Sequence, residues 1–198
     1  SGTKMWKGIA GSSDLSKIYA VELSTGRIFR STDSGVNWSQ SNASAQSWLD
    51  ITSSSDGVKT AAISNVSGNV YTSTNSGVDW SLSAGAGTRN WTAITSSADG
   101  SVIVASAYSE GIYMTTNSGS SWGVLINAGN RSWQDVAMSS DGTKMVAVVN
   151  PGAIYLSSDS GANWSTASAS TTAAWQSVTS SADGTKLVAV VKGGFIYT

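Results

Sequence analysis

The sequence predicts an all-β fold, a five-bladed β-propeller of 42-residue, four-stranded repeats, from three phased series of residues. The segments STDSGVNW, STNSGVDW, TTNSGSSW and SSDSGANW end at Trp38, Trp80, Trp122 and Trp164, each 42 residues after the last. A second series, Trp6, Trp48, Trp91, Trp133 and Trp175, is spaced by 42 or 43 residues. Eight residues after each of these stands an acidic turn residue: Asp14, Asp56, Asp99, Asp141 and Asp183. A fixed period of this length marks a repeat architecture. Four short strands per period point to propeller blades, of which a ring uses about 4–8.

One repeat shows the order of elements. Trp133 to Met138 reads as strand A and ends at the turn Ser-Ser-Asp-Gly, 139–142. Lys144 to Val149 is rich in β-branched residues and reads as strand B. Asn150-Pro-Gly turns the chain into strand C, Ala153 to Leu156, and the segment ending at Trp164 turns it into strand D. The pairs Ile28-Phe29, Val70-Tyr71, Ile112-Tyr113, Ile154-Tyr155 and Ile196-Tyr197 fall at the same place in strand C. The whole chain, 1–198, is one domain with repeats at about 6–47, 48–90, 91–132, 133–174 and a partial 175–198. Strand D occurs four times only, so the simplest expectation is a closed monomeric ring with one blade lacking its outer strand. The alternatives are that Ser1 to Met5 covers that edge, that the chain is part of a longer array, or that it is an engineered propeller.

Composition narrows the chemistry. Eleven Lys and Arg are scattered among twelve Asp and Glu, which gives no basic face for nucleic acid. The longest apolar runs, such as Leu187 to Val191, are too short to insert in a membrane. Cysteine and histidine are absent, so disulfides, Cys/His metal sites and histidine bases are excluded, and no cofactor or metal is expected. A turn aspartate alone does not make a calcium site, which needs six to eight oxygens with clustered carboxylates.

The motif Ser/Thr-x-Asp-x-Gly-x-x-Trp resembles the Asp-box, or BNR, repeat and recurs along essentially the whole chain. The resemblance implies a structural role for Asp33, Asn75, Asn117 and Asp159 in the turn and for Trp38, Trp80, Trp122 and Trp164 beside it. Glycines 35, 77, 119 and 161 would take the positive φ of such turns. Asp-boxes look alike in sialidases, other glycosidases, sorting-receptor ectodomains, photosystem assembly factors and lectin-like propellers, so the motif does not choose a function. The sialidase resemblance would call for an arginine triad, and the chain's Arg27, Arg30, Arg89 and Arg131 do not form its motif. Asp50 and Asp135, each two residues after a strand-A tryptophan, are the only candidate carboxylate pair, and they read better as polar channel lining. The expectation is a protein that is not an enzyme.

In a propeller the A–B and C–D turns share one face, and the B–C and D–A loops share the other. The first set is nearly constant between repeats and the second varies, which marks the second as the ligand face. The main expectation is lectin-like glycan binding at repeated sites there. Trp6, Trp48, Trp91, Trp133 and Trp175 would supply aromatic platforms, with Arg89, Arg131, Asn65, Asn90 and Asn150 as polar partners. The competing reading of these tryptophans is that they fill the gaps between blades. The alternative function is a protein-interaction scaffold or assembly factor.

Overall fold

Five turns of one repeating hairpin pattern build the molecule, and the computed structural model describes residues 4–24, 26–168 and 171–198. Blade 1 comprises β1 (Trp6–Gly11), β2 (Ile18–Glu22), β3 (Ile28–Ser31) and β4 (Ser39–Gln40). Blade 2 comprises β5 (Trp48–Ser53), β6 (Thr60–Ser64), β7 (Val70–Ser73) and β8 (Ser81–Leu82). Blade 3 comprises β9 (Trp91–Ser96), β10 (Ile103–Glu110), β11 (Ile112–Thr115) and β12 (Gly123–Val124). Blade 4 comprises β13 (Arg131–Met138), β14 (Met145–Val149), β15 (Ile154–Ser157) and β16 (Ser165–Thr166). Blade 5 has three strands, β17 (Trp175–Ser180), β18 (Leu187–Val191) and β19 (Ile196–Tyr197). Neighbouring strands pair antiparallel in chain order within each blade, and β10 also meets β13 so that blades 3 and 4 join.

Side-chain oxygens hold the turns. In the A–B turn of blade 2 the Ser54 hydroxyl donates to Asp56 Oδ1 at 2.6 Å, and the Val58 N–H donates to the same oxygen at 2.9 Å. The same serine–aspartate pair recurs at Ser12–Asp14, Ser97–Asp99, Ser139–Asp141 and Ser181–Asp183. In the C–D turn of blade 4 Asp159 accepts from the Ser157 hydroxyl, the Asn163 N–H and the Asn163 side-chain amide. The turn needs two successive left-handed residues, for example Ser160 at φ 58° and Gly161 at φ 81°. Glycine adopts that region freely, whereas Ser34, Ser76, Ser118 and Ser160 are held there by the turn's hydrogen bonds. Trp38, Trp80 and Trp164 each donate their indole N–H to the turn glycine carbonyl, while Trp122 donates to the Ser83 hydroxyl.

The core lies between blades. Trp48, Trp91, Trp133 and Trp175 are each 0–2% exposed. Trp48 packs with Ile51 against Tyr19, Val21 and Ile28 of the preceding blade. Each of these indoles also meets the strand-C tyrosine of its own blade edge to face, with ring centroids 5.0–5.4 Å apart. The indole N–H groups of Trp48, Trp91 and Trp175 donate to the carbonyls of Gly26, Gly68 and Gly152 in the B–C loop of the blade before. Trp133 turns instead to Gly129, because Glu110 stands where the other blades have that glycine.

Backbone bonds reinforce the same joints on both faces. On the constant face Ser13 N–H donates to Ser55 C=O, Ser55 to Ala98, Ala98 to Ser140 and Ser140 to Ala182, each at 2.7 Å. On the variable face each B–C loop meets the segment entering the next strand A, as at Gly68–Arg89 and Gly152–Ala173. The division into a constant and a variable face therefore holds.

The ring is open, which corrects the expectation of a closed one. Blades pack in series through β1–β5, β5–β9, β9–β13 and β13–β17, and among the described residues β17 has no such packing on β1. Ile9 of blade 1 and Ile196 of blade 5 are each 72% exposed, whereas Ile51 and Ile28, at the same repeat positions, are 3% and 1% exposed. Met5 C=O accepts from Leu23 N–H at 3.0 Å, so this end of the opening segment runs along blade 1, and among the described residues no strand pairs with the outer edge of β19. The remainder of that segment, residues 1–3, lies outside the described residues.

Burial separates the tryptophans energetically. Replacing Trp133 with Ala should cost about 3–5 kcal/mol, the range for a large aromatic removed from a packed core. Trp6→Ala, at a half-open face, should cost clearly less, and urea denaturation of the two variants checks the order.

Candidate functional site: the axial recess

A β-bulge creates the site. The register of strand A slips directly after its tryptophan in every blade, between Trp6 and Gly8, Trp48 and Asp50, Trp91 and Ala93, Trp133 and Asp135, and Trp175 and Ser177. A bulge leaves one residue outside the ladder and re-aims its side chain. Those five residues, Lys7, Leu49, Thr92, Gln134 and Gln176, all line one recess of about 400 Å³. Asp50, Asp135, Asn65, Val66, Asn90 and Tyr108 complete most of its wall. The recess therefore opens on the variable face, among B–C and D–A loops.

Its five bulged residues are of four kinds, with glutamine in both blades 4 and 5, so the ring presents one asymmetric site. Tyr108 and Val66 stand exposed at the rim, and the amides of Asn90, Gln134 and Gln176 offer both donors and acceptors. Asn90 Oδ1 accepts from Ser67 N–H at 3.0 Å, and Asn65 Oδ1 accepts from Val66 N–H at 2.9 Å, which steadies both loops.

The two carboxylates are structural clamps. Asp50 accepts the N–H of Ile51 at 2.9 Å through one oxygen and that of Ile94 in the next blade at 3.0 Å through the other. Asp135 repeats this with Val136 and Val178, and also accepts from the Ser177 hydroxyl at 2.7 Å. Each carboxylate thus pins the following strand A. Burial pushes the Asp50 carboxyl up to about 6, against the lowering effect of its two backbone donors, and the charge on Asp135 adds to the rise. Burial raises the Asp135 carboxyl as well. At the first joint Gly8 takes the place of the carboxylate, and its bare Cα admits the chain of blade 2, since a Cβ there would stand 3.0 Å from Asp50 Cα.

The other sequence-selected residues are dispersed. Trp48, Trp133 and Trp175 are sealed between blades, and Trp91 touches the recess but is 2% exposed. Trp6 alone of that series is open, 44% exposed. Arg89 is bound to Glu110 at 2.7 Å and lies over Tyr113, and Arg131 lies over Tyr155. Asn150 precedes Pro151 across a cis peptide bond, in a B–C loop outside the recess wall. Sequence reasoning passed over Lys7, Gln134 and Gln176, although the change of residue after each strand-A tryptophan was a visible signal.

Five consecutive sheets of this kind, packed around an axis with one variable face, define a β-propeller. No protein-family model matches the sequence, and neither does any curated protein. Among solved structures, YCF48 bound to D1 peptide matches with a TM-score of 0.71 at 17% identity, covering 98% of this chain and 64% of that one. A chain of a nidogen–laminin complex matches with a TM-score of 0.75 at 14% identity, covering 95% and 72%. The GH74 xyloglucanase from Xanthomonas campestris matches with a TM-score of 0.71 at 15% identity, covering 93% and 34%. At these identities the likeness is one of fold. This chain spans about two thirds of the length of the YCF48 chain it matches.

The two kinds of aspartate predict a stability maximum near pH 4. For Asp50 the folded value of about 6 exceeds the unfolded value, so the native state holds more protons and stability falls as pH rises from about 4 to 6. The turn residues Asp14, Asp99, Asp141 and Asp183 are lowered to about 2, chiefly by their serine hydroxyls, so the stability they supply is present above about 4 and lost as pH falls towards 2. Denaturant titrations from pH 2 to 7 should show that maximum, and Asp50→Asn should flatten its alkaline side.

Proposed function

We propose that the protein is a non-catalytic binding scaffold that takes one extended polypeptide segment in the axial recess. The observation that carries this reading is the ring of five bulged residues of four kinds, Lys7, Leu49, Thr92, Gln134 and Gln176, around a single opening. Backbone amides of an extended chain need paired donors and acceptors, which the recess offers in its Asn and Gln side chains. Tyr108 at the rim gives an amphipathic ring of the kind enriched at protein contacts. Two of the structurally similar propellers are seen with partners, a D1 peptide in one case and a laminin complex in the other, and this supports a binding role.

Lectin-like glycan binding is the second reading. It rested on the strand-A tryptophans as repeated platforms, and four of the five have no open ring face to offer. Catalysis by Asp50 and Asp135 has little support, since both carboxylates are occupied by backbone N–H groups of neighbouring strands.

Peptides selected from a random display library against the protein should bind at one equivalent per chain by calorimetry. Tyr108→Ala should weaken them by roughly tenfold or more, the loss typical of an aromatic anchor. Saturable binding of a glycan at several equivalents per chain, unaffected by Tyr108→Ala, would instead make the lectin the working model.

A further inference from the structure

Blades 3 and 4 carry the same arginine seat, and only one of the two is filled. Both blades pack between two others, so neither seat borders an open side of the arc. At each, a short 3₁₀ turn, Ala84–Ala86 or Ile126–Ala128, ends at a glycine in the left-handed region, Gly87 at φ 73° or Gly129 at φ 70°. Two residues on stands an arginine, Arg89 or Arg131, itself two residues before the strand-A tryptophan. The guanidinium carbon lies 3.9 Å from the ring centre of Tyr113 in blade 3 and 4.5 Å from that of Tyr155 in blade 4. The strand-A indole is 5.9 Å away in both. Stacking on two rings holds the charged fork in place before any partner arrives.

The partners of the two arginines differ. Arg89 donates from Nε to Ala86 C=O at 3.2 Å and from Nη1 to a Glu110 carboxylate oxygen at 2.7 Å. Glu110 stands two residues before Ile112, and Gly152 holds the same position before Ile154 in blade 4. Arg131 therefore has the seat without the carboxylate, and among the described residues no oxygen accepts from its guanidinium. Its Nε is enclosed, which leaves the two Nη groups as the donors a ligand can reach. Glu110 is the neighbour of Arg131 across the β10–β13 rung, yet its carboxylate is turned to Arg89.

The vacant seat continues the axial recess. Tyr108, at the recess rim, pairs with Ser132, the residue after Arg131. An extended segment leaving the recess over Tyr108 reaches Arg131 two or three residues on, at about 3.3 Å per residue. We infer that Arg131 takes the carboxylate of an aspartate or glutamate side chain in the polypeptide segment that occupies the recess. This assignment rests on the recess being a polypeptide site, and adds the charge of its partner. Glu110 on Arg89 is the internal template: a guanidinium laid against a tyrosine and closed by one carboxylate, a pairing that the planar fork favours.

Two measurements on the intact chain test it. In the first, N-acetylglutamate α-amide is titrated while NMR follows the side-chain N–H signals of Arg27, Arg30, Arg89 and Arg131. Arg131 should shift saturably and Arg89 should not, and the neutral N-acetylglutamine α-amide should move neither. In Glu110→Gln, a change at a partly exposed side chain, Arg89 should respond as well, because its own carboxylate is gone. Equal responses at all four arginines would overturn the carboxylate seat. In the second, peptides selected for binding at the recess should share an acidic residue at one position. Exchanging that residue for its amide should weaken binding to the unaltered protein about tenfold or more, and should leave binding to Arg131→Gln unchanged. Peptides that lose affinity on Tyr108→Ala but share no acidic position overturn the role of Arg131 and leave the recess as a polypeptide site. If no peptide is selected at all, the recess reading falls and the role of Arg131 falls with it, whatever the titration shows.

Discussion

Everything in this molecule depends on one indole set as a wedge between two sheets. The strand-A tryptophan fills the gap beside the preceding blade, meets a tyrosine on its own, and in three blades hands its N–H to a glycine carbonyl across the joint. Burying such a ring supplies the hydrophobic term, and the polar tip finds a partner, which removes the cost of leaving an N–H dry. The chain is poor in charge and rich in serine and alanine, so few other side chains are large enough to fill the space between sheets. Removing a wedge would therefore open a cavity that Ala and Ser cannot fill.

The site lies one position from the wedge. The extra residue of the bulge follows the strand-A tryptophan in every blade, blade 1 included, where Trp6 is open. That residue leaves the ladder and is aimed at the axis. Structure and function are separated by one position in the chain: the tryptophan is held constant by packing, and its neighbour is free to be Lys, Leu, Thr or Gln. Two residues on, Asp50 and Asp135 lock alternate joints through backbone N–H groups, so the recess is framed by the same contacts that hold the blades together.

Much of this was legible in the sequence and some was not. The phased tryptophans and aspartates gave the blades, the turns, the two faces and the three-stranded fifth blade, because turn chemistry and strand alternation are local. The bulge was not legible, because it has no residue signature of its own; only the variation after Trp48, Trp91 and Trp133 hinted at it. Nor was the left-handed conformation of Ser34, Ser76, Ser118 and Ser160, which comes from hydrogen bonds across the whole turn. The tryptophans seemed available to a ligand because period and spacing say which residues are equivalent, and cannot say which side of a joint they occupy. Ring closure failed for a related reason. Periodicity counts blades, whereas closure depends on whether the first and last of them meet, which no local residue pattern records.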